Sequence, residues 1–457
     1  MAFAMTECIQ AGFDFGSGFG KQIAVDFAGP TLTSDGGLLL LKQTDTKLNL
    51  LSRLAHCFRD ARDPLRVQHS VAELLSQRVY SLAMGYEDLN DHDRLRHDPL
   101  LGAVSGKADK QKLLAGKSTL NRLELSTEQA TRYKKIFCDT QAIDRLLVDV
   151  FLEAHPVAPA QIILDLDSTD LPLYGHQEQR FFHGYYDEYC YLPLYIFAGE
   201  HLLCSRLRAA NQDGSAGCVE EVKAIVERIR QAWPLVRIIV RGDSGFCRDE
   251  LLSWCESQAV RVDYVVGLAR NPRLETMLVP WMEQARAIRA ITGKPSRAFA
   301  EFDYQTQSGS CSCERRVVGK AEALCGKENP RYVVTSLTEK EWDARALYEE
   351  LYCARGEMEN RIKEQLSLFA TRVSAETMAA NQLRVYLAGM AYVLMSALRR
   401  IGLAGTEMAR AQAVTIRSRL LKIGAQVKVT ARRVWVHMSE AFPLQAVFWH
   451  AAARLRC

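Results

Sequence analysis

The chain has 457 residues, too many for one ordinary hydrophobic core, which points to roughly two to four domains. With 48% apolar and 25% charged residues it reads as a folded globular protein, and the disordered and fibrous classes are excluded. The net charge of +4 is unevenly spread. Residues 371–457 carry 13 Lys and Arg against 3 Asp and Glu, and the rest carries 45 against 51, so a basic tail on a mildly acidic body predicts a polyanionic partner. The plainer reading of such a tail is a solvated basic helix face.

The 13 cysteines contain no CxxC pair, and the closest two are Cys311 and Cys313. A disulfide framework or a closed zinc site needs ligands paired at set spacings, so free thiols in a reducing cytosol are expected. The N-terminus lacks the basic stretch and apolar run of a secretory signal. The longest apolar run, residues 385–398 between Arg384 and Arg399, is shorter than the roughly 20 residues of a membrane span. It predicts a buried helix, and no membrane partner is expected.

The N-terminal third reads as helical. Ser70 and Glu73 form a capping box before Val71, Leu74, Leu75, Val79 and Leu82, and Gly85 ends the run. Ser126 and Gln129 repeat the pattern before a helical stretch expected to reach Glu153. Gly116-Lys117-Ser118 hints at a phosphate loop, but Gln111 stands where its first glycine belongs and no strand precedes it. Pro156 and Pro159 mark a boundary.

Strands are predicted next. Residues 161–167 alternate, and residues 189–203 look like a hairpin or meander. Val219, Val222, Ile225, Val226 and Ile229 mark an amphipathic helix that stops at Pro234. Residues 236–241 form a short apolar strand, residues 248–257 a helix and residues 262–268 another strand. Further strands are expected over 298–304, 313–318 and 331–336. A helix follows from Glu339 to about Leu366, with Leu347, Leu351, Met358 and Ile362 on one side. The basic segment after it is expected to be mostly helical, with an extended piece at 434–437.

Alternation places Ile162, Leu164 and Leu166 on one side of the first strand and Ile163, Asp165 and Asp167 on the other. Two carboxylates on a buried strand are costly unless a positive group lies near them, and a metal ion would serve. A second apolar strand runs into Arg241-Gly242-Asp243, which places Asp243 at a strand's carboxyl end, where α/β sheets collect ligands. Tyr352, Arg355, Glu359 and Lys363 follow at spacings of three, four and four, which puts them on one helix face. Taken alone, that face reads as an ordinary surface laced with ion pairs. Three carboxylates from two strand ends and a helix make an oxygen cage for Mg²⁺ or Mn²⁺. Two such ions can activate a nucleophile and stabilise the leaving oxygen in an in-line attack on phosphorus.

On these residues the chain resembles the insertion-sequence DDE transposases with an RNase H-like catalytic core. The stretches DLDSTD, RGDSGF and YCARGEMENRIKE are similar to the blocks around their first Asp, second Asp and final Glu. Tyr352, Arg355 and Glu359 match their Tyr-x2-Arg-x3-Glu signature. TSDGGLLLL, KSTLNRLE, HGYYDEYCYLPLYIF and TIRSRLLKIGAQVKVTARRVWVH resemble the thirteen-eighty family of these transposases, from about Leu32 to the end of the chain.

The resemblance implies Asp167, Asp243 and Glu359 as catalytic metal ligands. It favours Asp167 over Asp165 for its Ser-Thr neighbours, leaving Asp165 a supporting or further ligand, and it sets Asp170 and Glu357 aside as surface residues. Where the broader signature has a lysine seven residues after the Glu, this chain has Leu366, and Lys363 is expected to take part of that role. The expected fold is α/β. An RNase H-like mixed-sheet core (156–260 and 341–370) carries a β-rich insertion (261–340) and is flanked by a helical DNA-binding and dimer region (1–155) and a basic helical C-terminal region (371–457), which together are expected to hold the DNA.

The expected activity is binding of terminal inverted repeats, metal-dependent DNA cleavage and strand transfer. Two divalent ions, double-stranded DNA as partner and a homodimer in a synaptic complex go with it. The expected location is the bacterial cytoplasm, at the nucleoid. Tyr352, Arg355, Lys363, Arg241 and His183 are the candidate DNA contacts, and Tyr185, Tyr186 and Tyr189 join His183 in an aromatic cluster able to stack on DNA ends. The rival readings are a structure-specific nuclease on the same fold and a repurposed, non-catalytic DNA-binding protein.

Overall fold

Strand-forming residues in an alternating pattern build the centre of the molecule. The computed structural model describes residues 28–107, 113–125, 131–306 and 312–456, together with the backbone of two strands, Phe13–Gly18 and Lys21–Val25. The large sheet has β1 (Gln161–Ser168), β2 (Leu194–Ala198), β3 (His201–Arg206), β4 (Arg237–Gly242) and β5 (Val262–Leu268). It continues with β6 (Ser296–Tyr304), β7 (Arg315–Leu324) and β8 (Arg331–Thr335). Their spatial order is β3-β2-β1-β4-β5-β8-β7-β6, with the short strand Lys327–Glu328 off β7. β1, β2 and β3 form an antiparallel meander, whereas β4 and β5 lie parallel to β1. β8 joins antiparallel to β5 and β7, so the strands of 296–335 extend the sheet that β1 to β5 begin.

The alternation in β1 has the expected outcome. Ile162, Leu164 and Leu166 pack with Ile238 and Val240 against the helices Thr140–Glu153, Cys218–Ala232, Asp249–Glu256 and Pro272–Thr292. Ile163 faces the other way, beside Ile239, Val265, Val318 and Val333, where Leu347, Tyr348 and Leu351 cover the sheet. Those three lie in a helical run over 344–365, which begins after the capping residue Asp343. It passes through a π-helical turn (Leu347–Tyr352) and a tight 3-10 turn (Cys353–Arg355) before the regular turns of Gly356–Gln365. The wider turn changes the angular step along the helix, and such insertions are frequent at functional sites.

The two flanking helical regions share one core. The helix Met378–Ala397 is buried almost all round, as the apolar run that starts at Val385 predicts. It packs with residues of the helices Leu38–Leu48 and Val71–Met84. Glu124 is buried between Arg78, at 2.6 Å, and Arg384, at 2.8 Å, and so ties the two regions together. The Gly36 and Gly37 amides donate to the Ile423 and Leu421 carbonyls at 2.8 and 3.0 Å, and Lys422 meets Asp35 at 2.7 Å. A Cβ on Gly37 would lie 2.4 Å from the Leu421 Cα, so the double glycine permits a backbone approach that no side chain would allow. Leu32–Thr33 then pairs with Ala425–Val429, which pairs in turn with Val434–Met438.

Ser70 and Glu73 form the expected reciprocal cap. Three sequence expectations need correction. The helix expected to lead up to Glu153 starts only at Thr140, because the Asp139 carboxylate accepts the Ala142 amide and the strand Ile136–Cys138 comes first. The region 261–340 contains a 21-residue helix, Pro272–Thr292, absent from the strand reading; Asn271 caps it, Pro272 opens it and Gly293 closes it. The strands Leu32–Thr33, Phe58–Asp60 and Ile136–Cys138 interrupt the helical region expected over the N-terminal third, since two- and three-residue strands are too brief to show alternation. Ser126, Gln129, Gln111 and Cys311 lie outside the described residues. No helix among the described residues is long and apolar enough to cross a membrane.

Candidate active site

β1 and β4 are neighbours in parallel register, with Asp165 opposite Arg241 and Leu166 opposite Gly242. One step further along, Asp167 and Asp243 stand at the carboxyl ends of the two strands. Residues opposite each other in such a pair point to the same side of the sheet, so Asp165, Arg241, Asp167 and Asp243 all belong to the face covered by the 344–365 run. The Asp167 Oδ1 accepts its neighbour Ser168 amide at 3.0 Å, and Asp243 Oδ1 accepts the Gly245 amide at 2.8 Å. The second contact fixes the Asp243 side chain at the turn that follows β4.

The helical run brings the third carboxylate. One Arg355 Nη lies 3.4 Å from Asp167 Oδ2, and the other lies 3.6 Å from Glu359 Oε1. Arg355 therefore bridges the strand carboxylate and the helix carboxylate. Burial pushes the Asp167 carboxyl up to about 6; Arg355 opposes that rise, while the nearby Asp243 and Glu359 charges add to it. All three candidate ligands thus act on one electrostatic site, and their mutual repulsion is only partly relieved by one guanidinium. The all-oxygen donor set suits a hard divalent cation. Among the described residues, no three carboxylate, histidine or cysteine side chains are spaced to hold an ion as they stand. Arg355 occupies the gap between two of the candidates.

Tyr352 is the other inward residue of this helix face. A Cβ on Gly267 of β5 would lie 2.7 Å from the Tyr352 hydroxyl and 2.8 Å from the Ser244 amide. The bare glycine lets the tyrosine reach the Asp243 turn. Burial raises the Tyr352 phenol, with Arg355 opposing and the Asp243 charge adding. Gly267 was not singled out in the sequence, although a glycine inside an otherwise apolar strand marks a close approach.

Arg241 requires a correction. Expected at DNA, it is 5% exposed and fully engaged inside the protein. Its Nε and one Nη hold the two Asp165 oxygens at 2.5 and 2.8 Å, and the other Nη donates to the Leu351 carbonyl. Parallel register put the guanidinium beside Asp165, and a buried charge keeps its partner. The same pairing removes Asp165 from the candidate metal ligands: burial raises its carboxyl, and Arg241 opposes that shift.

The remaining candidates are more peripheral. Lys363 is exposed on the helix, as is Glu357. His183 lies in the strand Phe181–His183, paired with Glu188–Tyr191 in a hairpin that leaves β1 through Leu171–Pro172. Its ring centroid is 5.0 Å from that of Tyr186. Tyr185 is exposed at the hairpin turn, and Arg180 lies 3.7 Å over the Tyr189 ring. Asp170 lies between hairpin and site, near enough to raise the Tyr186 phenol.

No curated protein matches the chain. Among solved structures it is similar to one described as a cryo-EM structure of the piggyBac transposase synaptic complex with hairpin DNA. The identity is 12% and the TM-score 0.39, over 85% of this chain and 81% of that one. Residues 15–457 match the family described as transposase DDE domain group 1. That match takes in both strand-end aspartates and the helix that carries Glu359, and the chain belongs to this DDE transposase family.

Proposed function

We propose that the protein is the transposase of an insertion sequence of the thirteen-eighty type, with Asp167, Asp243 and Glu359 as its catalytic carboxylates. One observation carries the reading: two aspartates end neighbouring parallel strands on the sheet face where a helix delivers Glu359, linked through Arg355 to Asp167. The order β3-β2-β1-β4-β5, with three antiparallel strands followed by two parallel ones, supports an RNase H-like core. Tyr352 and Arg355, both turned toward the carboxylates, support the Tyr-Arg-Glu signature.

In this reading Asp167, Asp243 and Glu359 would hold two Mg²⁺ or Mn²⁺ ions, whose charge would neutralise the phosphate during attack on phosphorus. Arg355, set 3.4 Å from Asp167 and 3.6 Å from Glu359, would meet a DNA phosphate brought beside those carboxylates. Tyr352 orients the Asp243 turn, and Lys363 and the His183 hairpin contact DNA nearby. The enzyme recognises terminal inverted repeats, nicks them and joins the freed 3′-hydroxyl to target DNA. It acts as a homodimer holding two element ends, in the bacterial cytoplasm at the nucleoid.

The test is a joining assay with precut element ends, supercoiled target and Mg²⁺ or Mn²⁺. Joined product that disappears with Asp243→Asn is expected. Cutting of uncut ends without any joining of precut ends would replace the transposase reading by a nuclease. Binding of ends with neither reaction would replace it by a non-catalytic DNA-binding protein.

A further inference from the structure

A second basic surface lies in the N-terminal region, in a part of the chain whose overall balance is acidic. It is a groove of about 600 Å³. Three stretches form it: the turn at Pro64–Arg66, the helix Lys117–Glu124 and the residues leading into Ile136–Cys138. Arg62, Arg66, Arg122, Arg132 and Lys135 line it, and among the described lining residues Asp63 is the only acid.

The acids nearby are already committed. Asp63 accepts the Leu65 amide at 3.1 Å and meets Arg66 at 3.4 Å. Asp60 holds Arg62 through two contacts, at 2.8 and 2.7 Å, so that guanidinium is fixed in direction. Arg122, Arg132 and Lys135 are exposed and have no acidic partner among the described residues. Tyr133 is 65% exposed, with the Arg132 guanidinium 5.5 Å from its ring centre.

Cations converging from three stretches on one concave surface repel one another. Their number exceeds what one small anion can engage, whereas a chain of phosphates engages them in turn. We propose that this groove holds the phosphate backbone of duplex DNA, contacting charge and positioning the duplex without reading its bases. The inference rests on the DNA-processing function proposed above.

The experiment uses the full-length protein and a 30-base-pair duplex of arbitrary sequence, with fluorescence anisotropy over a salt titration. The triple variant Arg122→Ala, Arg132→Ala, Lys135→Ala is compared with the parent. Loss of three phosphate contacts is expected to flatten the slope of log affinity against log salt by about 2 to 3 and to weaken binding at low salt by roughly tenfold or more. Arg132→Gln alone, expected to flatten the slope by about 1, provides the same reading should the triple variant fold poorly.

An unchanged slope overturns the groove assignment and leaves the proposed function standing. A parent protein that binds no duplex at all overturns the proposed function itself. Unchanged duplex binding together with lost binding of poly-glutamate assigns the groove to an acidic protein instead, and overturns the inference.

Discussion

Asp165 and Asp167 stand two residues apart on one strand and one face, and the protein treats them oppositely. Asp165 is closed off: its two oxygens are held by Arg241, and both side chains are 6% exposed. Asp167 is 15% exposed and is met by one guanidinium nitrogen at 3.4 Å, while Asp243 and Glu359 crowd it with like charge. The inner pair satisfies its own charge and pins the helical run through the Leu351 carbonyl. The outer set leaves charge unsatisfied, and so retains an appetite for a cation. In the proposed function the fully compensated carboxylate builds the protein, and the incompletely compensated one serves the chemistry.

The largest effect should come from the outer set. Asp243→Asn is expected to lower cleavage and joining by more than about a hundredfold, since changing even a residue behind a metal ligand costs 10- to 100-fold. Mobility-shift binding of element ends should be nearly unchanged; loss of binding and of folding together would move Asp243 to the structural side of the contrast.

At the inner pair, Arg241→Met should destabilise the fold by about 3–5 kcal/mol in denaturant titration, because it strands a buried carboxylate. Adding Asp165→Leu should recover much of that loss. A double variant no more stable than the single one would show that the Arg241 contact with the Leu351 carbonyl matters more than the ion pair.

Asp167 offers a test through pH. Its native value of about 6 lies above the ordinary 3.8. The native protein therefore holds more protons than the unfolded chain between those values, and stability falls as pH rises through that window. Asp167→Asn should accordingly be more stable than the metal-free parent above pH 6, by about 3 kcal/mol at most, and should lose that advantage toward pH 4. Mg²⁺ should raise the parent's melting temperature and leave the variant's unchanged. A variant less stable than the parent at pH 8 would break the contrast between the two aspartates. The smallest change is expected for Arg355→Ala: about tenfold weaker joining, as for one lost charge-assisted contact, with weaker binding of ends. An unaltered reaction would return Arg355 to the role of an ordinary surface partner of Glu359.

Much of this arrangement was legible in the sequence because it is local. Alternation in β1 separated Ile162, Leu164 and Leu166 from Ile163, Asp165 and Asp167, and the packing on the two sheet faces follows that division. The spacing from Tyr352 to Glu359 placed those side chains on one helix face, although π and 3-10 turns replace the regular helix over 347–355. What was not legible depends on partners distant in sequence. Nothing within Arg241-Gly242-Asp243 says that the arginine will find Asp165, since that follows from the parallel register of two strands with a meander and a helix between them. The 21-residue helix at Pro272 was hidden for another reason: Pro280 lies inside it, and exposed apolar residues such as Val279 and Ile291 blur the buried line of Leu274, Leu278, Met282 and Ala285. The strands of 32–33 and 425–429 could be recognised only as a pair.

The contact between Asp35 and Lys422, 387 residues apart, also sets a timetable. During synthesis at about 5–20 residues per second, the Asp35-Gly36-Gly37 segment emerges on the order of 20–80 s before the strand and loop that receive it. The helices around Leu38–Leu48 and Val71–Met84 must wait as long for Met378–Ala397, the helix that fills their core. A nascent chain can assemble the strands that carry Asp167 and Asp243 while its flanking helices still lack their seat. Completion of the basic C-terminal segment is thus the step that seats the N-terminal helices, and a message broken before that segment yields a chain whose N-terminal helices lack their partner.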